Sequence, residues 1–108
     1  MTAATTVPLM STFAVEYSYD ITRTSDINEL RPQHREFLRA LADEGTLLAS
    51  GPWLDNAAPG ALLLLSAEDD TTAKQILDED PFQRAHVITH RTVRAWNPLI
   101  GVFADRAE

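Results

Sequence analysis

His34 is the side chain in this sequence that is best suited to proton transfer. An imidazole changes charge near neutral pH and can act as a general base when a carboxylate lies beside it. A helical stripe spaced three and four residues apart would turn His34 toward the protein interior. The same spacing is typical of a histidine that only packs in a core, so both interpretations stay open. The stripe consists of Leu30, His34, Phe37, Leu38 and Leu41.

A carboxylate stands in the segment DPFQRAH, residues 80–86. Asp80 has a purely structural explanation, because Asp is a preferred helix N-cap. Pro81 would then occupy the first helical position, where its missing N–H costs nothing. A chemical role for Asp80 therefore needs a second, independent reason.

Two further segments could hold a ligand. Arg31 lies about one helical turn before His34 and could bind an anion there, although a solvated arginine at a helix start fits as well. In the segment SGPW, a flexible glycine and a rigid proline end a strand, where the backbone can approach a ligand closely. A plain turn with a packed tryptophan is the alternative. The candidate substrate-binding residues are Arg31, Ser50, Gly51, Pro52, Trp53 and Phe82.

Other kinds of chemistry find little support. The chain has no cysteine, which excludes disulfides, thiolate catalysis and cysteine-ligated zinc. His86 and His90 are four residues apart, but the β-branched residues around them predict a strand, in which that spacing separates the rings by roughly 13 Å. No glycine-rich nucleotide motif surrounds the four glycines, and no G-x-S-x-G elbow surrounds Ser50. We therefore expect neither a metal nor a cofactor.

Charge and hydropathy limit the partners. Nine basic against sixteen acidic residues give a net charge of -7, which disfavours nucleic acid and anionic membranes. The longest apolar run, Ala61–Leu65, is too short to cross a membrane, and the first nine residues do not resemble a signal peptide. We expect a soluble cytoplasmic protein. Residues 1–11 are expected to form a flexible extension and residues 12–104 a single domain.

The pattern of apolar residues predicts six elements. Alternation predicts strands, and spacing of three to four predicts helices. The first helix is expected to begin near Pro32 and to end at Gly45. The elements are the strand TFAVEYSY, the helix around Leu30 to Leu41, the strands TLLAS and ALLLLS joined by the loop GPWLDNAAPG, a helix within AEDDTTAKQILDED, and the strand VITHRTVRAW.

This βαββαβ order predicts an α+β, ferredoxin-like fold, in which two helices cover one face of a four-stranded antiparallel sheet. The four consecutive leucines of ALLLLS cannot alternate between core and water. A strand that is apolar on both sides needs cover on both. In so small a chain, the sheet of a second subunit is the simplest cover, which predicts a homodimer with sheets packed face to face.

Segments along most of the chain resemble the YCII-related (YciI-like) family. The resemblance spans Phe13 to Asn97 and implies a ferredoxin-like dimer of the α/β-barrel type. It also implies that His34 and Asp80 form the active-site pair, which is the second reason that Asp80 needed. Few members have an attributed activity, and one branch resembles a dehydrochlorinase of chlorinated hydroxyquinones. The matching segments are FAVEYSYD, RPQHREFLRALADEGTLLASGP, GALLLL, DPFQRAH and TVRAWN.

How His34 and Asp80 meet is an open question at this point. In a plain βαββαβ unit we expect the two helices to run roughly parallel, which puts His34, near the start of one, and Asp80, beyond the end of the other, at opposite ends. Either the second helix is short and DPF folds back, or the pair forms across the dimer, or the resemblance misleads here. Asp20, at the end of the first strand, is an alternative partner for His34, or simply a turn residue.

Two functional hypotheses follow. The first is an acid/base enzyme of the lyase or isomerase type acting on a small organic molecule without a metal, in which His34 moves the proton and Asp80 orients the imidazole. The second is a non-catalytic dimeric module that binds a metabolite or a protein, because a fold alone does not decide function.

Overall fold

A four-stranded antiparallel sheet forms the centre of the computed structural model, which describes residues 9–108. The strand order is β2-β3-β1-β4, and the predicted ferredoxin-like α+β fold is confirmed. The predicted extension, residues 1–11, lies mostly outside the described residues, and the domain boundary stays a prediction. The strands are β1 (Ser11–Tyr19), β2 (Leu47–Pro52), β3 (Gly60–Ala67) and β4 (Ile88–Trp96). The helices are α1 (Thr24–Asp43), α2 (Asp70–Leu77) and α3 (Pro81–Arg84), with 3₁₀ turns at Ile21–Arg23 and Ala104–Arg106.

The core lies between the sheet and the helices. β1 alternates as predicted, so Phe13, Val15 and Tyr17 are buried on the helix-covered side. Val15 pairs with Leu63 on β3, which is also fully buried. The other side of the sheet, which we call the open face, carries the alternate residues of each strand. Its central members are Ala14, Glu16, Leu62, Leu64, Thr92 and Arg94.

The first helix begins earlier than predicted. α1 starts at Thr24, and Pro32 lies inside it rather than in its first turn. An interior proline costs a helix about 3 kcal/mol. The early start buries Ile27, and burying such a side chain stabilises by about 1.5–3 kcal/mol, which offsets much of that cost. Although α1 has 20 residues, no helix among residues 9–108 is long and apolar enough to cross a membrane.

The helices α1 and α2 run antiparallel, and the expectation that they run parallel was wrong. β1 and β2 both pair antiparallel with β3, so α1, which joins them, must run against β1. β3 and β4 both run against β1, so α2, which joins them, must run along it. The start of α1 and the end of α2 therefore lie at the same end of the sheet. At that end, a hydrogen bond of 2.8 Å from Asp20 N–H to the Val87 carbonyl joins the segment after β1 to the segment before β4.

The connection after α2 supplies the third helix. α2 is short and ends at Leu77, and the single turn α3 follows with Pro81 at its start. Asp80 is the N-cap of α3, as the sequence predicted. His86 ends this turn with φ of 58°, in the left-handed region. It therefore lies outside β4, whereas the sequence had predicted that it belongs to a strand with His90.

The hairpin between β2 and β3 is tighter than predicted. Gly51 and Pro52, which were assigned to the loop, belong to β2. A hydrogen bond of 3.1 Å from Trp53 N–H to the Gly60 carbonyl closes the hairpin. β2 is an edge strand, where proline is tolerated because one side of the strand has no partner.

We predict that Gly60→Ala destabilises the fold, because a Cβ there would lie 2.0 Å from the Tyr17 carbonyl oxygen. Relieving the clash must push β1 and β3 apart, at an expected cost of about 1–3 kcal/mol. Gly51→Ala is the matched control, since nothing lies within 4 Å of its added Cβ. Urea denaturation of the two variants measures the difference, and equal stabilities would contradict the prediction.

Candidate functional site

His34 and Asp80 meet within one chain. His34 Nδ1 lies 2.8 Å from Asp80 Oδ1 and 3.0 Å from Oδ2. Asp80 is fully buried, and His34 is 7% exposed. The pair forms because α3 follows the short α2 and turns back against α1, so neither a dimer nor Asp20 is required. Asp20 instead accepts a 2.9 Å hydrogen bond from the backbone N–H of Thr22.

Two further donors satisfy the buried carboxylate. The backbone N–H of Phe82 donates to Oδ1 at 2.9 Å, and the Tyr17 hydroxyl donates to Oδ2 at 3.1 Å. An ionised carboxylate can be buried without a large cost in free energy only if its oxygens accept hydrogen bonds in this way. Because both oxygens of an ionised Asp80 accept, the Nδ1 of His34 must carry a proton and donate. In the neutral ring, Nε2 then holds the free lone pair.

The Nε2 atom of His34 is open to the solvent side. Among residues 9–108, Gln83 Oε1 is the one buried side-chain polar atom without a hydrogen-bond partner. Nε2 also has no partner in the described part of the chain, so it is not sealed from solvent. The pair thus presents one basic nitrogen and hides the carboxylate behind it.

Aromatic rings fix the plane of the imidazole. Phe82 stacks on His34 with ring centroids 3.9 Å apart and an interplanar angle of 5°. Tyr19 meets Phe82 edge to face at 5.4 Å and 83°. Such contacts hold a ring in one orientation and keep water from its covered side. Phe82 therefore positions His34 through its ring and Asp80 through its backbone.

Burial raises the pKa of both tyrosines near Asp80. For Tyr17, burial raises the pKa far above its ordinary value, and the negative charge of Asp80 and the hydrogen bond to it add to the effect. For Tyr19, burial and then the Asp80 charge raise the pKa to about 12, while Arg31 acts in the opposite direction. Both hydroxyls therefore stay protonated near neutral pH, and Tyr17 remains a donor to Asp80.

A cleft of about 550 Å³ lies between α1 and β2, and His34 is part of its wall. Six of the residues predicted to bind substrate or transfer protons line it: Arg31, His34, Ser50, Gly51, Pro52 and Phe82. Trp53 does not line it; its side chain is 44% exposed and approaches Gly60 at the end of the hairpin. Asp80 lies behind His34, away from the cleft surface. The remaining lining residues are Tyr19, Arg35, Leu38, Arg39, Ala42, Leu47, Leu48, Ala49 and Ala61.

Sequence reasoning missed four of the side chains at this site. Tyr17 and Tyr19 belong to the inward-facing set of β1, so the alternation of the strand contained the signal. Arg35 and Arg39 follow Arg31 at intervals of four, which places them on the same side of a helix. Only the register of β1 against α3 shows that Tyr17 reaches Asp80.

No group of three or more potential metal ligands occurs among residues 9–108. His86 lies in the turn after α3, and His90 is exposed on β4. The polar side chains that line the cleft are the imidazole of His34, the hydroxyls of Tyr19 and Ser50, and the guanidinium groups of Arg31, Arg35 and Arg39.

Comparisons with known proteins give a family and a fold. The model of the YCII-related domain matches residues 12–97. No curated protein matches the chain in sequence. A 5-chloro-2-hydroxyhydroquinone dehydrochlorinase from Burkholderia phenoliruptrix, solved with 2,5-dihydroxybenzoquinone, is similar with a TM-score of 0.70 and 18% identity, over 80% of this chain and 93% of that one. A protein from Bacteroides thetaiotaomicron that is described as an antibiotic biosynthesis monooxygenase is similar with a TM-score of 0.54 and 14% identity, over 84% of this chain and 90% of that one. At these identities the structures show a shared fold.

We predict that the two tyrosines, the only ones in the chain, resist ionisation at pH 10, the ordinary tyrosine pKa. The fold favours the neutral form of both hydroxyls, and this preference adds its full contribution to the free energy of unfolding below pH 10. That contribution is lost as the pH rises toward 12. Tyrosinate absorbance should therefore stay low at pH 10 in the folded protein and reach half its maximum there in urea. Half-ionisation at pH 10 with an unchanged circular dichroism spectrum would contradict the prediction.

Proposed function

The chain belongs to the YCII-related family, and we propose that it is an acid/base enzyme acting on a small organic molecule through His34 and Asp80. One observation carries this proposal. The Nδ1 of His34 is held by a fully buried carboxylate, while the same residue forms part of the wall of a cleft large enough for a small molecule and its Nε2 has no hydrogen-bond partner among residues 9–108.

The proposed step is a proton abstraction by Nε2 from an O–H or C–H bond of the substrate. The imidazolium that forms lies against Asp80, whose negative charge stabilises it. In an elimination, the electrons of the broken bond move into the substrate and expel an anionic leaving group. In an isomerisation, His34 returns the proton to another atom of the substrate. After an elimination, Nε2 releases its proton to water and the pair is restored.

The remaining cleft residues are proposed to position the substrate. Arg31 is half-buried and lines the cleft one helical turn before His34, and its guanidinium donates to Asn28 Oδ1 at 2.6 Å. Ser50, Gly51 and Pro52 form the opposite wall on β2. Contact of Trp53 with the substrate stays a prediction, since its side chain lies outside the cleft.

The structural neighbour suggests a first substrate to try. That enzyme is a dehydrochlorinase of 5-chloro-2-hydroxyhydroquinone, a small oxygenated ring whose reaction is an elimination. A ring of that size fits a cleft of about 550 Å³. We therefore propose a lyase of the dehydrochlorinase type as the specific form of this activity.

We predict that wild-type protein releases chloride from 5-chloro-2-hydroxyhydroquinone and that His34→Gln lowers the rate by at least about 100-fold, because the general base is lost. Asp80→Asn should lower the rate less, since the ring loses its charged partner but keeps its nitrogen. His90→Gln is the matched control, because His90 is exposed on β4. Chloride release measures the rates, and circular dichroism checks folding.

Equal rates in His34→Gln and wild type would contradict the proton-transfer role. Wild-type protein that binds 2,5-dihydroxybenzoquinone but eliminates nothing from the chlorinated hydroquinone would favour the alternative function, a non-catalytic binding module. These two results differ, because the first concerns His34 and the second concerns catalysis as a whole.

We also propose that two chains pack through the open face of the sheet. Leu62 and Leu64 are half-buried there, while Leu63 and Leu65 are fully buried beneath the helices. The four leucines thus supply two apolar surfaces, of which the chain itself covers one. A second sheet would cover the other in a two-fold arrangement.

We predict that the protein is a dimer in solution and that Leu64→Lys makes it monomeric, because the new charge would have to be buried between the sheets. Leu54→Lys is the matched control, since Leu54 is 95% exposed in the hairpin loop. Sedimentation velocity measures the mass of each variant. A monomeric wild type, or a dimeric and folded Leu64→Lys variant, would contradict the prediction.

A further inference from the structure

Three arginines follow one another along the α1 wall of the cleft. Arg31, Arg35 and Arg39 are spaced by four residues, and all three line the cleft. At a rise of 1.5 Å per residue, neighbouring positions are about 6 Å apart and the row is about 12 Å long. The chain has a net charge of -7 and nine basic residues, so this single wall holds a third of them. The cleft is locally cationic in an acidic protein.

The row is unfavourable for the helix that carries it. Like charges at positions i and i+4 repel, which destabilises a helix by about 0.2–0.5 kcal/mol for each pair. Within residues 9–108, no carboxylate lies within salt-bridge distance of these three arginines, although Glu36 and Asp43 are spaced to reach Arg39. Of the six basic residues elsewhere, four pair with acids, namely Arg23, Lys74, Arg84 and Arg91, and two, Arg94 and Arg106, form no salt bridge within residues 9–108.

The rest of the cleft lining contains no acid that could compensate the row. Asp80 lies behind His34 and is occupied by its own three donors. The floor is apolar and includes Leu38, Leu47 and Ala61, which are buried. An occupant that matches this surface has an apolar body and an anionic group, and the guanidinium fork matches a carboxylate as it does a phosphate.

We infer that the cleft has a carboxylate subsite beyond the ring-sized space at His34 that the chlorinated hydroquinone would fill, so that its preferred ligand is an elongated organic carboxylate. The apolar body of that ligand lies on Leu38 and Leu47, and its carboxylate binds Arg35 and Arg39. Arg39 lies five residues beyond His34, about 7.5 Å along the helix. An aromatic ring with a short unsaturated side chain spans that distance. The placement of the reacting end at His34 rests on the proposed function, whereas the carboxylate site stands on the arginine row alone.

The test uses a matched pair of probes, 4-hydroxycinnamate and its neutral amide 4-hydroxycinnamamide, with calorimetric titration of the 108-residue chain. We expect the carboxylate to bind at least tenfold more tightly than the amide, and this preference to shrink as sodium chloride is added. Arg35→Gln and Arg39→Gln should each weaken carboxylate binding by about five- to tenfold and leave amide binding unchanged. Both residues are exposed, and Gln is a good helix former, so folding is preserved.

Arg106→Gln is the control, because Arg106 is exposed in the 3₁₀ turn near the end of the chain, outside the cleft. This variant should bind the carboxylate as wild type does. Equal binding of carboxylate and amide, no binding of 4-hydroxycinnamate by wild type, or unchanged binding in both cleft variants would each overturn the inference.

His34→Gln separates this inference from the proposed function. It should keep the preference for the carboxylate over the amide, because the arginines remain in place. Failure of the proposed function appears as unchanged turnover in His34→Gln, and failure of the carboxylate site appears as unchanged affinity in the arginine variants.

Discussion

The burial of one negative charge organises this end of the molecule. A carboxylate removed from water costs several kcal/mol unless its oxygens are paired, and Asp80 is fully buried. Its three donors come from three different elements: the hydroxyl of Tyr17 on β1, the imidazole of His34 on α1 and the backbone N–H of Phe82 in α3. The strand, the long helix and the short helix must therefore meet at one point. The chemistry of the site is a consequence of how this charge is satisfied.

The cleft divides into two regions with different physical characters. Around His34 the side chains are buried, stacked and hydrogen-bonded, so the basic nitrogen is held in one place. Along the rest of α1, Arg35 and Arg39 are exposed on flexible side chains above an apolar floor. Rigid groups suit proton transfer, which depends on geometry. Mobile charged groups suit the capture of an anion, which depends mainly on potential.

Much of the architecture could be predicted from local patterns, because alternation in β1 and the helical stripe of α1 reflect which side faces the core. The N-cap role of Asp80 was also readable, since Asp-Pro is a local signal. The start of α1 could not be predicted in this way. Proline prefers the first turn of a helix, but the burial of Ile27 favours a helix that begins at Thr24 and so places Pro32 in its interior. The pairing of His34 with Asp80 required the relative direction of two helices, which follows from strand order and was assigned wrongly. Tyr17 as a donor to Asp80 depends on tertiary register, which no local pattern contains. The spacing of the arginine row was readable from the sequence, but its position in the wall of a cleft was not.

The position of β2 at the edge of the sheet has an evolutionary consequence. Among residues 9–108 only β3 pairs with it, and Ala49, Ser50 and Gly51 are exposed along the cleft. Exchanges at such positions perturb folding little. The buried carboxylate and its donors have no such freedom, because each depends on the others. Substitutions can therefore reshape this wall of the cleft while the His34–Asp80 pair and the other donors to Asp80 stay in place.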